Sequence, residues 1–341
     1  MVESPHISLT MPNRSYQSFV RSEIKKIAKQ VGFAGSRLGE LEIVVAELTS
    51  NLVKHTTGGG ELLVKKIEDA TGFTGIELIC IDSGPGMRLP VKMMLDGVST
   101  TKTPGQGLGA IKRLSDEFDL YTLKGWGTIV LARLFLVKPL AVKQKKTVAK
   151  VIMISKPGET ACGDRWDVIA KGNLLKFIIA DGLGHGIHAE EASVEAIKTF
   201  RINQKMAPDE ALIAIHAAIR KTRGAVINIT HVDTGAGELT YCGVGNISSK
   251  VVSARNKSFI SYNGIIGHSI PNTMNNHVYK WEKQDTLIMH SDGINTRWDI
   301  QKYPQVQYYD GTILAAALYK DNKRGNDDIT IAVIRQNNPV L

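Results

Sequence analysis

Val20, Ile24, Ile27 and Val31 stand three and four residues apart, after Asn13 as a candidate cap and before Gly32 as a stop signal. That spacing predicts an amphipathic helix. A second helix is predicted from near Ser36, with Leu38, Leu41, Val45, Leu48 and Leu52 as its apolar stripe. Beside the stripe, Glu47, Asn51 and His55 recur every four residues, which stacks them on one face. ELLVKKIE and GIELICI read as strands, followed by a glycine-rich stretch, a helix around Leu108 to Glu117, and the hairpin FDLYTLKGWGTIVLARLF. This order predicts an α/β sandwich.

The second half alternates differently. Strands are predicted near 148–154 and 174–180, helices near 188–202 and 208–221, and many short strands up to 290. A last helix, GTILAAALYK, and a last strand, ITIAVIR, close a pattern of two sheets with helices outside. Between the halves lies VKPLAVKQKKTVAK, with five lysines and no acidic residue, which reads as a solvated linker. We therefore expect a first domain over 1–137, a basic linker over 138–147 and a second domain over 148–341. No internal repeat is visible, because the glycine motifs of the halves differ in spacing and neighbours.

Length agrees with this division, since 341 residues is about two domains of roughly 150 residues each. With 43% hydrophobic and 22% charged residues, two ordinary cores are possible and global disorder is excluded. The formal charge of +9 raises the question of nucleic acid, but over half of the excess sits in the stretch VKPLAVKQKKTVAK, so no nucleic-acid partner is expected. No apolar run approaches the roughly 20 residues of a membrane span, and the start lacks a signal-peptide pattern, so a cytoplasmic protein without membrane attachment is expected. Cys80, Cys162 and Cys242 are far apart and odd in number, which predicts reduced thiols and no zinc site.

Four features of the first half have a nucleotide-binding rationale, and each also has a plain one. ELTSNLVKH places Glu47 and Asn51 one turn apart, where the carboxylate can take a proton from a nucleophile and the amide can ligate a hard cation; a solvated helix face would look the same. Asp82 ends an apolar strand beside SGPGM, a loop permissive enough for close approach of a base, though DxGxG is also an ordinary turn. TPGQGLGAIKRL sets Gly105, Gly107 and Gly109 directly before a helix, whose free N–H groups favour phosphate. Gly125, Gly127 and Thr128 form a hairpin turn.

In this order and spacing, residues 10–136 resemble the GHKL (Bergerat-fold) ATPases, and among them the anti-sigma-factor-type serine protein kinases of the bacterial stressosome; DGVSTTKTPGQGLGAIKRLSDEFDLYTLKGWGTIV is the most kinase-like stretch. The resemblance implies that Glu47 is the general base for an acceptor serine, Asn51 holds Mg²⁺, and Asp82 accepts the adenine amino hydrogen bond. It implies too that Gly84 and Gly86 flank the base, that Gly105, Gly107 and Gly109 cradle phosphates of ATP under a lid over about 88–104, and that Thr128 lies near the adenine. With no phosphoacceptor-histidine helix bundle read upstream, a sensor histidine kinase is not expected, and His55 reads as structural rather than as a phosphoacceptor. Lys54 can reach a phosphate or simply be an exposed helix lysine.

In the second half, acidic residues meet glycine at strand ends: CGDRWD, IIADGLGHG, MHSDGI and GNDDITIAVI. Apolar strands deliver Asp181 and Asp292 into Asp-Gly loops, and Asp327-Asp328 precede a third strand. Several carboxylates gathered at one rim suit two hard divalent ions about 3.5–4 Å apart that activate a water. ADGLGHG, SDG and NDDIT over residues 148–336 resemble the SpoIIE-type, metal-dependent type 2C serine/threonine phosphatases. That resemblance implies an α-β-β-α sandwich, with Asp181 bridging two Mn²⁺ or Mg²⁺ ions and the Gly182 carbonyl helping to coordinate. Asp292 and Asp327 then complete one ion's shell, Asp164 contacts water on the ions, and the activated water attacks phosphoserine phosphorus in line. His185 is open between a nearby acid and a structural role, and Asp328 ranks below Asp327.

Together the resemblances imply a bifunctional bacterial signalling regulator, an ATP-dependent serine kinase fused to a phosphoserine phosphatase, acting on a STAS-domain partner-switching or scaffold protein. The alternative keeps the phosphatase and makes the first half an ATP-gated binding or anti-sigma module. Stretch 253–284 matches no motif, and the sequence does not set the oligomeric state.

Overall fold

In the computed structural model of the protein, which describes residues 4–68, 72–87, 107–138, 147–253 and 256–336, the first half begins with β1 (Ile7–Met11), α1 (Gln17–Val31) and α2 (Gly35–His55). It continues with β2 (Gly60–Glu68), β3 (Thr74–Asp82), α3 (Gly107–Leu114), β4 (Glu117–Leu123) and β5 (Gly127–Phe135). The strands pair antiparallel in the order β1-β2-β3-β5-β4. Alternate residues Leu62 and Val64, Ile76, Leu78 and Cys80, and Val130, Ala132 and Leu134 share one core with Val20, Ile24 and Ala28 of α1 and Leu41, Val45, Leu48 and Leu52 of α2. Period 2 on the strands thus meets period 3.6 on the helices across one apolar layer.

Gly32 ends α1 as expected, at φ 113°, but Asn13 caps a separate short turn by accepting the Ser15 N–H, and α1 starts only at Gln17. Strand β1 was not evident in the sequence. It is an edge strand whose Ile7 is exposed, so its alternation is weak. Helix α3 stops at Leu114, before Ser115, whose N–H still bonds Ile111 O, and Glu117 already pairs with Arg133 in the sheet.

The second half holds two five-stranded antiparallel sheets. One orders as β13-β10-β9-β8-β7, from β7 (Asp164–Lys171), β8 (Leu174–Gly182), β9 (Ala225–Asp233), β10 (Glu238–Val244) and β13 (His277–Lys280). The other orders as β12-β11-β14-β15-β6, from β6 (Thr147–Ile154), β11 (Ser248–Val252), β12 (Lys257–Phe259), β14 (Thr286–His290) and β15 (Ile329–Gln336). Phe177, Ile179, Leu239 and Tyr241 of the first sheet meet Met153, Leu287, Met289 and Ala332 of the second in one core. Helices α4 (Ile187–Ile202) and α5 (Pro208–Ala218) close the opposite face of the first sheet, where Phe200, Leu212 and Ile215 pack on Ile178, Ile227 and Ile229. The last helix, α6, spans Gly311–Asn322. The chain is therefore a mixed α/β protein of two compact units, with residues Gln305–Ala317 belonging to the same unit as the β1-β2-β3-β5-β4 sheet of the first half. Strand β7 is the main element that sequence patterning passed over, because CGDRWD shows only acids beside glycine until its ladder with β8 is seen.

Candidate active sites

In the first half, β3 delivers Asp82 to the end of the sheet, and its side chain organises the chain there. Asp82 Oδ1 accepts the N–H of Gly84 at 2.7 Å and of Thr128 at 3.2 Å. The hairpin between β4 and β5 is more than a turn. Gly125 donates to Pro85 O at 2.8 Å, Met87 N–H donates to Thr122 Oγ1 at 2.9 Å, and Gly127, at φ 125°, leaves room for the Asp82 carbonyl that any Cβ would strike. Thr122 and Thr128 hydroxyls lie 3.1 Å apart.

Glu47 and Asn51 stand on the face of α2 that meets the start of α3. A Cβ on Gly107 would lie 2.6 Å from Glu47 Oε2 and 3.8 Å from Asn51 Oδ1, so the first turn of α3 presents its backbone to both side chains. Gly109 is buried in the same turn. Gly84 approaches His55 so closely that a Cβ would sit 2.7 Å from the His55 carbonyl. Partial burial and Lys54 lower the His55 pKa, with Asp82 opposing them. The structure thus brings Glu47, Asn51, Gly107 and Gly109 together on one side, and Asp82, Gly84, Gly86 and Thr128 on the other. Gly105, the predicted lid over 88–104 and most of the basic linker lie outside the described residues.

In the second half, a cavity of about 360 Å³ is lined by Asp181, Asp292 and Asp327 with Leu183, Asn246 and Asn263. Three different strand ends deliver the carboxylates: β8 brings Asp181, the residues after β14 bring Asp292, and the approach to β15 brings Asp327. Asp164 stands opposite Asp181 in the β7–β8 ladder. Glycine is needed where these loops cross. A Cβ on Gly182 would collide with the Ala189 carbonyl, and one on Gly293 with the Asp328 carbonyl.

Hydrogen bonds assign different work to neighbouring acids. Asp328 spends one oxygen on the Lys156 N–H at 2.7 Å and the other on the Gly163 N–H at 2.8 Å, whereas Asp327 faces the cavity and accepts only the Asp328 N–H among the described residues. Ser291 donates to Asp164 Oδ2 at 2.7 Å and accepts the Thr330 N–H, and Asn246 donates to Asp292 Oδ2 at 2.9 Å. His185 pairs with Glu159 at 2.6 Å. Asn246, Asn263 and Ser291 were not singled out from sequence; only the position of Asn246 in GVGNIS, just past an apolar strand, hinted at it.

The carboxylates repel one another. Burial first, then the charges of Asp164, Asp292, Asp327 and Asp328, push the Asp181 carboxyl well above the usual range. Burial pushes Asp164 up too, against the opposing hydrogen bond from Ser291. Among the described residues no three such side chains form a ready-made coordination group. The donor set nonetheless fits hard divalent cations. Every candidate ligand is an oxygen, and Asp164 Oδ1 is buried with no hydrogen-bond partner among the described residues, a state that a cation or its water relieves.

Comparison with known proteins finds a family for each half. Residues 12–134 match the histidine kinase-like ATPase domain, and residues 171–337 match the stage II sporulation protein E (SpoIIE) family. The serine/threonine-protein kinase RsbT of Bacillus subtilis (strain 168) is 34% identical over 108 residues, covering 32% of this chain and 80% of RsbT. The phosphoserine phosphatase RsbX of the same organism is 32% identical over 148 residues, covering 42% of this chain and 73% of RsbX. A solved chain from work on the bacterial stressosome is 26% identical with a TM-score of 0.53, over 56% of this chain and all of that one. RsbX in complex with magnesium shares the fold at 23% identity and a TM-score of 0.52, over 57% of this chain and 98% of that one. The chain thus belongs to two families at once, a histidine kinase-like ATPase domain related to RsbT joined to a SpoIIE-type serine/threonine phosphatase domain related to RsbX, in a regulator of the partner-switching type.

Proposed function

We propose that the two halves carry opposed activities: ATP-dependent phosphorylation of a serine on a STAS-domain partner-switching or stressosome scaffold protein, and metal-dependent hydrolysis of phosphoserine. The observation that carries the phosphatase reading is the delivery of Asp181, Asp292 and Asp327 to one cavity from three separate strand ends. In that reading Asp181, Asp292, Asp327 and the Gly182 carbonyl hold two Mn²⁺ or Mg²⁺ ions. Bound, such ions supply charge neutralisation and activation of water at the phosphorus. Asn246 fixes the Asp292 carboxylate and Ser291 fixes Asp164, so two acids are oriented before substrate arrives.

In the first half, Asp82 and Thr128 take the adenine, Gly84 and Gly86 flank it, and Gly105, Gly107 and Gly109 take the phosphates. Asn51 holds Mg²⁺, and Glu47, one turn away, receives the proton of the acceptor serine. The nearness of Gly107 to both Glu47 and Asn51 supports this reading, since it sets base and amide beside the glycine turn. No described helix is long and apolar enough to cross a membrane, and action on such partners belongs in the cytoplasm.

The test uses the full chain, labelled ATP, Mn²⁺ and a purified STAS-domain protein. Glu47→Gln should lower transfer at least about a hundredfold while nucleotide still binds, and Asp181→Asn should lower phosphoserine hydrolysis by a similar factor. Nucleotide binding with no transfer by the wild-type chain would instead make the first half an ATP-gated binding module.

A further inference from the structure

The register that sets the acidic cavity also sets a cation beside it. Strands β8 and β9 pair Asp181 with Val226 and Gly182 with Ala225. The ladder continues one step, with Leu183 N–H donating to Gly224 O at 3.0 Å. One residue further out, Gly184 meets Arg223: a Cβ on Gly184 would lie 3.2 Å from Arg223 Nη1. Gly184 lines the cavity, so the guanidinium lies beside one of its lining residues, at the glycine loop that follows Asp181.

The backbone carrying Arg223 is pinned on both sides. His268 Nε2 bonds the Arg223 carbonyl at 2.8 Å. Thr222 Oγ1 accepts the Gly224 N–H at 3.1 Å and donates to Ile219 O at 2.7 Å. Gly224, at φ 79°, passes so near Ile266 that a Cβ would sit 2.7 Å from its carbonyl. The side chain is treated otherwise. Arg223 is exposed and forms no ion pair among the described residues, although acids crowd the cavity. Glu159, the carboxylate on the other side of the glycine loop, is engaged by His185.

An exposed guanidinium on a pinned backbone beside the carboxylate-lined cavity, with no ion pair among the described residues, suits an anion that arrives with the substrate. Its planar fork matches two oxygens of a phosphomonoester dianion. We propose that Arg223 binds the phosphoryl oxygens of the phosphoserine substrate and positions the phosphorus over the acidic cavity. The assignment rests on the phosphatase reading of this half.

The experiment takes the manganese-loaded full chain with p-nitrophenyl phosphate as substrate and inorganic phosphate as the ligand in calorimetry. In Arg223→Ala, KM should rise about tenfold or more with kcat within about threefold, and the inorganic phosphate Kd should rise in parallel. Manganese affinity should stay at the wild-type value. Arg223→Lys should recover part of the loss, because it restores the charge without the fork. Arg223→Gln serves as the second uncharged variant if the alanine protein does not fold. Unchanged KM and phosphate Kd, a fall in kcat alone, or a parallel fall in manganese affinity each overturn the assignment and leave the phosphatase reading standing. A wild-type chain that binds no manganese and hydrolyses nothing overturns that reading and the assignment with it.

Discussion

Asp327 and Asp328 are neighbours in sequence with opposite duties, and exchanging each for alanine should separate stability from catalysis. Asp328 is 3% exposed, and its two oxygens hold the N–H groups of Lys156 and Gly163. Leaving the buried Gly163 donor unpaired costs about 1–3 kcal/mol, and the part-buried Lys156 donor, which water can reach, costs about 0.5–1.5 kcal/mol. Part of this is returned, because burial and the Asp327 charge already push the Asp328 carboxyl up and its removal relieves that cost. We expect a net loss of about 2–3 kcal/mol in Asp328→Ala, which for a unit of this size lowers the melting temperature by roughly 5–10 °C. Asp327→Ala loses one hydrogen bond, from the Asp328 N–H at 2.9 Å, and eases the repulsion on Asp181, so its melting temperature should stay within about 3 °C of wild type. Its Mn²⁺-dependent hydrolysis should nevertheless fall about a hundredfold. Differential scanning of the transition that shifts with added Mn²⁺, beside a phosphatase assay, reads both quantities. If Asp327→Ala melts as low as Asp328→Ala, or Asp328→Ala melts with wild type, the division of labour is wrong.

A pH-dependent loss of stability is expected from His231, whose pKa is lowered to about 3 by burial and by Lys176 on the facing strand. The unfolded chain binds this proton more readily, so stability should fall as pH drops below about 6.5, by about 2 kcal/mol at pH 5. Urea unfolding at pH 7 and pH 5 should show that loss in wild type and much less of it in His231→Gln; equal losses count against the assignment. Arg133 is buried between Glu77 at 2.6 Å, Glu117 at 2.6 Å and Asp310 at 2.9 Å. Arg133→Met strips buried Glu77 of its guanidinium and should destabilise this unit by about 3–5 kcal/mol, seen as a lower urea midpoint; an unchanged midpoint would show that the cluster contributes nothing.

Local chemistry alone determined a great deal here. The stripe of Leu41, Val45, Leu48 and Leu52 announced α2, the alternating residues of GIELICI announced β3, and Gly32 marked the end of α1, because each signal depends only on near neighbours and the fixed periods of helix and strand. The glycine-flanked acids likewise marked candidate ligands, three of which line one cavity. What only the tertiary structure decided is which of them meet, since that depends on long-range ladders. Pairing with β8 turned DRWD into β7 and set Asp164 against Asp181, and the backbone crossing at Lys156 and Gly163 took Asp328 out of the cavity and left Asp327 in it. Asn246 and Arg223 carry no pattern of their own. They reach the site because β8, β9, β10 and β14 end at the same edge, a register that is fixed by burying alternate faces of whole sheets rather than by any short stretch of chain.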